Sequence, residues 1–267
     1  MTSDGVTGGR MTDGGTASGK TTSDAVTQPG PARIAMWSGP RTVSTALMRS
    51  FENRPDTVVV DEPLYAYYLA HTGVDHPGRD QVIASMPADW QTVLTQLATA
   101  PLPGGASVFY QKHMTHHLLP EIDRGALAGL THAFLIRDPA RLLASYARVR
   151  SRPVLDDLGL AQQVEIFRAF GGPVIDSADI LRAPRPALEA LCDALGIGFD
   201  PAMLSWPAGS RPTDGVWGQY WYDSVWRSTG FGAYSQATEV ELPPDLSPLA
   251  AQCRPFYEEL AAHRLRP

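Results

Sequence analysis

Lysine is nearly absent from this sequence. Of its 22 basic residues only Lys20 and Lys112 are lysines, so any contact with phosphate or sulfate must lean on arginine. Cysteine is as scarce: Cys192 and Cys253 sit in helix-like segments without a C-x-x-C pattern or a nearby histidine pair. That argues for reduced core thiols and against a zinc site or a disulfide framework. No apolar run approaches membrane-spanning length and no charged-then-apolar leader is present, so the expectation is a cytoplasmic protein without a membrane partner. An excess of positive charge is also missing. The formal net charge of −6 gives no drive toward nucleic acid. Residues 1–30 contain no aromatic residue, leucine or isoleucine, and cannot bury enough apolar surface to offset the entropy of ordering. The expected organisation is a disordered Thr/Gly/Ser-rich tail over 1–31 and one globular domain over 32–267.

The tail nevertheless holds a Walker A pattern. In "GGTASGKTTS" the residues Gly14, Gly19, Lys20 and Thr21 have the spacing G-x-x-x-x-G-K-T. Such a loop works only between the end of a buried strand and the start of a helix. Upstream, "MTSDGVTGGRMTD" offers no apolar run; downstream, "TSDAVTQPGP" offers no helical period. The motif is therefore read as a coincidence of biased composition.

From residue 32 short apolar runs alternate with helical periods. Strands are expected at 32–39, 57–63, 107–113 and 131–138, with a fifth, strand-like segment in "PVIDSADIL". Helices are expected at 42–53, over most of 81–100, in "ARLLASYARVR", at roughly 157–171, in "PALEALCDALGI" and at 246–265. Val- and Ile-rich strands separated by helices point to an α/β protein with a central parallel sheet covered on both faces. Residues 210–234 read as an aromatic-rich loop.

In such a sheet ligands bind beyond the carboxyl ends of the strands, so the first strand-to-helix turn, "SGPRTVST", is the leading candidate. Gly39 can take backbone angles closed to other residues, Pro40 stiffens the turn, and Thr42, Val43, Ser44 and Thr45 place N–H groups and hydroxyls at a helix start that favours anions. Arg41 adds a positive charge. The competing reading is a plain helix start with Arg41 solvated.

The stretch "SGPRTVSTALMRSFENRPDTVVVDEP" resembles the opening of the PAPS-dependent sulfotransferase superfamily, in particular a bacterial branch with a W-S-G-P-R opening. PAPS is 3′-phosphoadenosine 5′-phosphosulfate. The resemblance implies a P-loop NTPase-like fold, with residues 39–45 holding the 5′-phosphosulfate. It gains support from "RDPARLLAS", where Arg137 and Ser145 have the spacing of the family's 3′-phosphate site, against a reading in which Arg137 pairs with Asp138 or Glu121. "RSTGFGAY" resembles the loop that closes over the nucleotide, which adds Ser228 and Gly230. The likeness spans about 33–207 plus that loop.

The implied reaction moves a sulfuryl group from PAPS to a hydroxyl or amine of a small-molecule acceptor, with no metal. It asks for a cation at the leaving group and a base opposite. Arg41 stands where the family usually has lysine. Glu62, at the end of the second strand, is one candidate base; the alternative is that Asp61 and Glu62 cap the following turn or pair with Arg41. "YQKHMTHHLLP" resembles the K-T-H segment of cytosolic members, with Lys112 matching the lysine and His113 the first of three possible histidines beside His116 and His117. Trp217 and Trp221 are weaker candidates for the acceptor side. Two other readings stay open: an ATP-dependent phosphotransferase or ATPase using Lys20, with "TVVVDE" as a Walker B strand, and a nucleotide-binding protein without catalysis. The oligomeric state is left open.

Overall fold

The computed structural model describes residues 30–148, 153–234 and 242–267. The Walker-like stretch lies outside the described residues, as do Arg150 and Arg152. Five strands form one parallel sheet: β1 (Ala32–Ser38), β2 (Thr57–Asp61), β3 (Val108–Met114), β4 (Thr131–Ile136) and β5 (Val174–Asp176). Their spatial order is β2-β3-β1-β4-β5, so β1 is central and the chain departs from it in both directions. This places a topological switch beside the carboxyl end of β1, where open α/β sheets bind ligands.

Eleven helices are described. They are α1 (Ser44–Glu52), α2 (Tyr65–Thr72), α3 (Arg79–Ser85), α4 (Trp90–Thr99), α5 (Pro139–Tyr146), α6 (Leu160–Phe170), α7 (Ser177–Arg182), α8 (Pro184–Ala194), α9 (Gly218–Trp221), α10 (Asp223–Trp226) and α11 (Ser247–Ala262). Alternation along β1 divides the core. Ile34 and Met36 pack with Leu47 and Phe51 of α1 and Leu188 and Leu191 of α8, whereas Ala35 and Trp37 pack with Val93 and Leu94 of α4 and Val164 and Ile166 of α6. Successive side chains of a strand point to opposite faces, so a fully buried strand needs apolar residues at every position.

The expected strands are present, one or two residues shorter or shifted. The helical expectation over 81–100 resolves into α3 and α4, because Met86 is extended (φ −153°) ahead of Pro87 and Asp89 then caps α4 by accepting from Thr92 N–H. In "PVIDSADIL" only three residues form β5; the Asp176 side chain accepts from Ala178 N–H and starts α7 at once. Helix α2 falls in a stretch for which no element was expected, and α9 and α10 lie inside the expected loop. Both cysteines are buried and free, with burial pushing each thiol up to about 11. No helix among the described residues is long and apolar enough to cross a membrane.

Candidate active site

Arg41, Glu62, Lys112, Arg137 and Ser145 gather beyond the carboxyl ends of β1 to β4, around a cavity of about 240 Å³. Its floor is the turn from β1 into α1. Arg41 and Val43 both have left-handed backbone, at φ 59° and 63°, which is unusual for an arginine and an outlier for a β-branched residue. Strain of this kind survives where the surroundings over-determine it. Here Thr42 Oγ1 donates to Gly39 O at 2.9 Å, Ser177 Oγ donates to Thr42 O at 2.7 Å, and Arg137 donates to Arg41 O. Gly39 lies beneath the turn, where a Cβ would stand 2.7 Å from Leu158 O. Helix α1 carries neither a side-chain cap nor an acidic residue in its first turn, so its N–H groups remain open to an anion.

Two arginines face this helix start. Arg41 Nε donates to Ser145 Oγ at 3.2 Å, which brings the first loop and α5 together. Burial lowers the Arg41 guanidinium below its usual value and Arg148 adds to the effect. Arg137 is lowered by burial first, then by Arg41 and Arg141. The two carboxylates expected as alternative partners of Arg137 are engaged elsewhere. Asp138 caps α5 and pairs with Arg254 at 2.9 Å, and Glu121 accepts from the Tyr67 hydroxyl at 2.8 Å. Neither Arg41 nor Arg137 has an ion pair among the described residues. Half-buried, mutually repelling guanidiniums beside an open helix N-terminus form a site that an anion would relieve.

The opposite wall is built on β2 and β3, whose register sets Asp61 beside Lys112. Lys112 is 1% exposed. Its Nζ donates to Asp61 Oδ1 at 2.8 Å, Glu62 Oε1 at 2.6 Å and the Tyr222 hydroxyl at 2.8 Å. Burial alone would lower the ammonium's pKa; the two carboxylates outweigh that and hold it above its usual value. Glu62, with φ 41°, is raised by burial, with Lys112 opposing and Asp61 adding to the rise. Asp61 and Glu62 therefore pair with Lys112, not with Arg41.

The histidines separate. His113 does not reach the cavity: neighbours on a strand point to opposite faces, and with Lys112 turned toward Asp61, His113 enters the core on the other side. It stacks on Trp37 with centroids 4.3 Å apart, its Nε2 lies 3.1 Å from Gln111 Oε1, and burial lowers it to about 3. The expectation of a catalytic His113 is corrected accordingly. His116 and His117, on the helical turn that follows β3, do line the cavity. His117 stacks on Tyr65 at 4.7 Å and is lowered well below its usual value by burial and then by His116.

The closing-loop residues are elsewhere too. Ser228 Oγ accepts from Trp206 Nε1 at 3.1 Å and donates to Val225 O at 2.7 Å, while Gly230 bridges Ser205. Neither lines the cavity, because Trp206 and Phe231, packed edge to face at 5.2 Å, pin the segment to the core. Trp221 lines the cavity but Trp217 is buried behind it. The sequence reading missed Tyr65 and His76 and did not single out Tyr222 within the aromatic segment; all three line the cavity. Tyr65 directly follows the Glu62-Pro63-Leu64 turn, a positional clue; nothing in the sequence distinguished Tyr222 from its aromatic neighbours.

Comparison with known proteins gives a consistent picture. The model of the family described as "Sulfotransferase domain" matches residues 32–264. Two Arabidopsis thaliana proteins are similar: branched-chain-amino-acid aminotransferase-like protein 1, 38% identical over 238 residues, and protein 2, 35% identical over 235 residues. The matches cover 87% and 86% of this chain but only 42% and 41% of those relatives, so their names describe much longer proteins. Among solved structures, the sulfotransferase domain of the Synechococcus PCC 7002 olefin synthase matches at TM-score 0.55 and 19% identity, covering 89% of this chain and 96% of that one. The sulfotransferase domain from the curacin biosynthetic pathway matches at 0.52 and 16%, covering 89% and 99%. At these identities the structural likeness speaks for the fold.

Proposed function

The chain belongs to the sulfotransferase-domain family, and on that premise we propose that it moves a sulfuryl group from PAPS to a hydroxyl or amine of a small-molecule acceptor. The observation that carries the reading is the pair Arg41 and Arg137, half-buried and without ion pairs among the described residues, beside the open start of α1 and across one cavity from Glu62. The donor supplies an activated sulfuryl group on a phosphate leaving group. Arg41 stabilises negative charge developing at the leaving oxygen, and the N–H groups of Val43 to Thr45 share that load. Arg137 with Ser145 holds the 3′-phosphate. Arginine is a poor proton donor, so Arg41 acts by charge and geometry rather than as a general acid.

Glu62 takes the acceptor proton. Lys112 holds its Oε1, and Oε2 carries no hydrogen bond among the described residues, which leaves one carboxylate oxygen for the acceptor. Burial raises Glu62 toward the range that suits a general base. A second assignment, His117 as base, has its own support: it lines the same cavity and burial keeps it neutral. The ATP-dependent reading is weaker, because the acidic pair it would use for magnesium is already engaged by Lys112.

The test is calorimetric titration with 3′-phosphoadenosine 5′-phosphate, and separately with ATP and magnesium. The intact protein should bind the bisphosphate, and Arg137→Ala should weaken it about 10- to 100-fold, as loss of charge-assisted bonds of ~1.5–3 kcal/mol implies. Failure of the intact protein to bind the bisphosphate would refute the reading.

A further inference from the structure

The buried cluster between β2, β3 and the segment carrying α9 and α10 is saturated in a way that singles out one oxygen. An ammonium has three donors, and Lys112 spends all three, on Asp61 Oδ1, Glu62 Oε1 and the Tyr222 hydroxyl. A phenol has one donor and two acceptor positions. Tyr222 donates to Asp61 Oδ2 at 2.6 Å, and it accepts from Lys112 Nζ and from Trp217 Nε1 at 3.0 Å. Both oxygens of Asp61 and one of Glu62 are thereby occupied.

We propose that Tyr222 is a positioning residue for catalysis: its hydroxyl locks Lys112 against Asp61 so that Glu62 presents Oε2 to the acceptor. The proposal rests on the reading of Glu62 as the base. Tyr222 sits at the junction of α9 and α10, with its N–H on Gly218 O at 2.8 Å and its carbonyl accepting from Trp226 N–H at 2.8 Å. Trp226 Nε1 in turn donates to Asp214, which Arg49 of α1 grips with Nη2 at 2.6 Å and 2.7 Å. The helix that follows the phosphate-facing turn is thus tied to the segment that delivers the hydroxyl. Donor site and base are framed by one chain of contacts.

The groups facing the Glu62 carboxylate are Asp61 on β2, Lys112 on β3, Tyr222 on the aromatic segment and Tyr65 on α2, with His117 beyond Lys112. The charge and hydrogen bond of Lys112 favour the ionised Glu62 carboxylate, and the Tyr222 proton goes to Asp61 Oδ2, so removing the Tyr222 hydroxyl acts on Glu62 by loosening Lys112 and must raise its titration midpoint.

The experiment follows the Glu62 side-chain carboxyl carbon by NMR titration in the intact chain and in Tyr222→Phe and Trp217→Phe. Turnover of PAPS with p-nitrophenol and bisphosphate titration run alongside. The expected result is an upward shift of the Glu62 midpoint of about a unit in Tyr222→Phe and less in Trp217→Phe. The acid limb of kcat should move the same way, kcat should fall at least tenfold, and bisphosphate affinity should stay within twofold. An unmoved Glu62 midpoint would overturn the proposal, as would unchanged kcat or loss of bisphosphate binding in Tyr222→Phe. Because the NMR midpoint needs no turnover, absence of sulfuryl transfer in the intact protein would sink the proposed function while the positioning of Glu62 was still decided.

Discussion

His113 and Lys112 are adjacent in sequence and opposite in fate. Lys112 keeps its charge in the interior because two carboxylates surround it, whereas His113, stacked on Trp37 with Gln111 beside its Nε2, is held neutral down to about pH 3 by burial first and then by His132. An unfolded histidine takes up its proton near pH 6.5 and the folded one resists, so acid favours the unfolded chain. His113 therefore contributes stability that is complete above about pH 6.5 and is lost as pH falls toward about 3. Between pH 7 and 4.5 this one group should cost about 2–3 kcal/mol. Urea unfolding at the two pH values should show a smaller loss for His113→Phe than for the unaltered chain; equal losses would show that another group sets the acid sensitivity. The sequence offered Lys112 and three nearby histidines, and what it withheld was the face of the strand on which each would lie. Alternation forbids Lys112 and His113 from sharing a side. Only the pairing of β3 with β2 decides which of them meets Asp61.

At the level of elements, the legible parts were those with local causes. Four Val- and Ile-rich runs became strands, and Asp138-Pro139 started α5 as its cap and first-turn residues imply. Helix α2 was not legible, because "YAYYLAHT" packs three tyrosines into eight residues, a composition that local preference assigns to strands. Its helical form comes from packing: Tyr65, Tyr68 and Leu69 lie against Trp217 and Tyr222, some 150 residues along the chain. The turn of residues 39–43 was legible in position but not in its strain. Gly39 there is required by the close backbone of Leu158, not by its own φ. Gly39→Ala would force a Cβ to within 2.7 Å of that carbonyl, displacing the turn. We expect it to weaken bisphosphate binding at least tenfold with the fold intact, since misplacement of about 1 Å in such a frame costs up to ~100-fold. Gly198→Ala, where nothing lies within 4 Å, should leave binding unchanged. Equal affinity for both variants in calorimetry would mean that the contact with Leu158 does not shape the turn.

Across the whole molecule, the strand order concentrates residues from distant parts of the chain at the carboxyl ends of the strands. Arg41, Glu62, Lys112, Arg137 and Tyr222 come from five separate segments and line one cavity. Residues 1–29 hold the better-looking phosphate motif, yet the described fold already has an anion-facing turn after β1 without them. Removing residues 1–29 should leave bisphosphate affinity within twofold. A loss of binding in a calorimetric comparison of the two forms would make Lys20 part of the site.

The sequestration of Lys112 also fixes how the protein can be labelled. It is the only lysine of the described fold, and the one other lysine in the chain is Lys20. An amine-selective reagent such as a succinimidyl ester therefore finds no lysine target on the folded domain. Acylation of Lys112 becomes a time stamp: its rate reports how often the cluster around Glu62 opens, read by mass spectrometry from a single peptide.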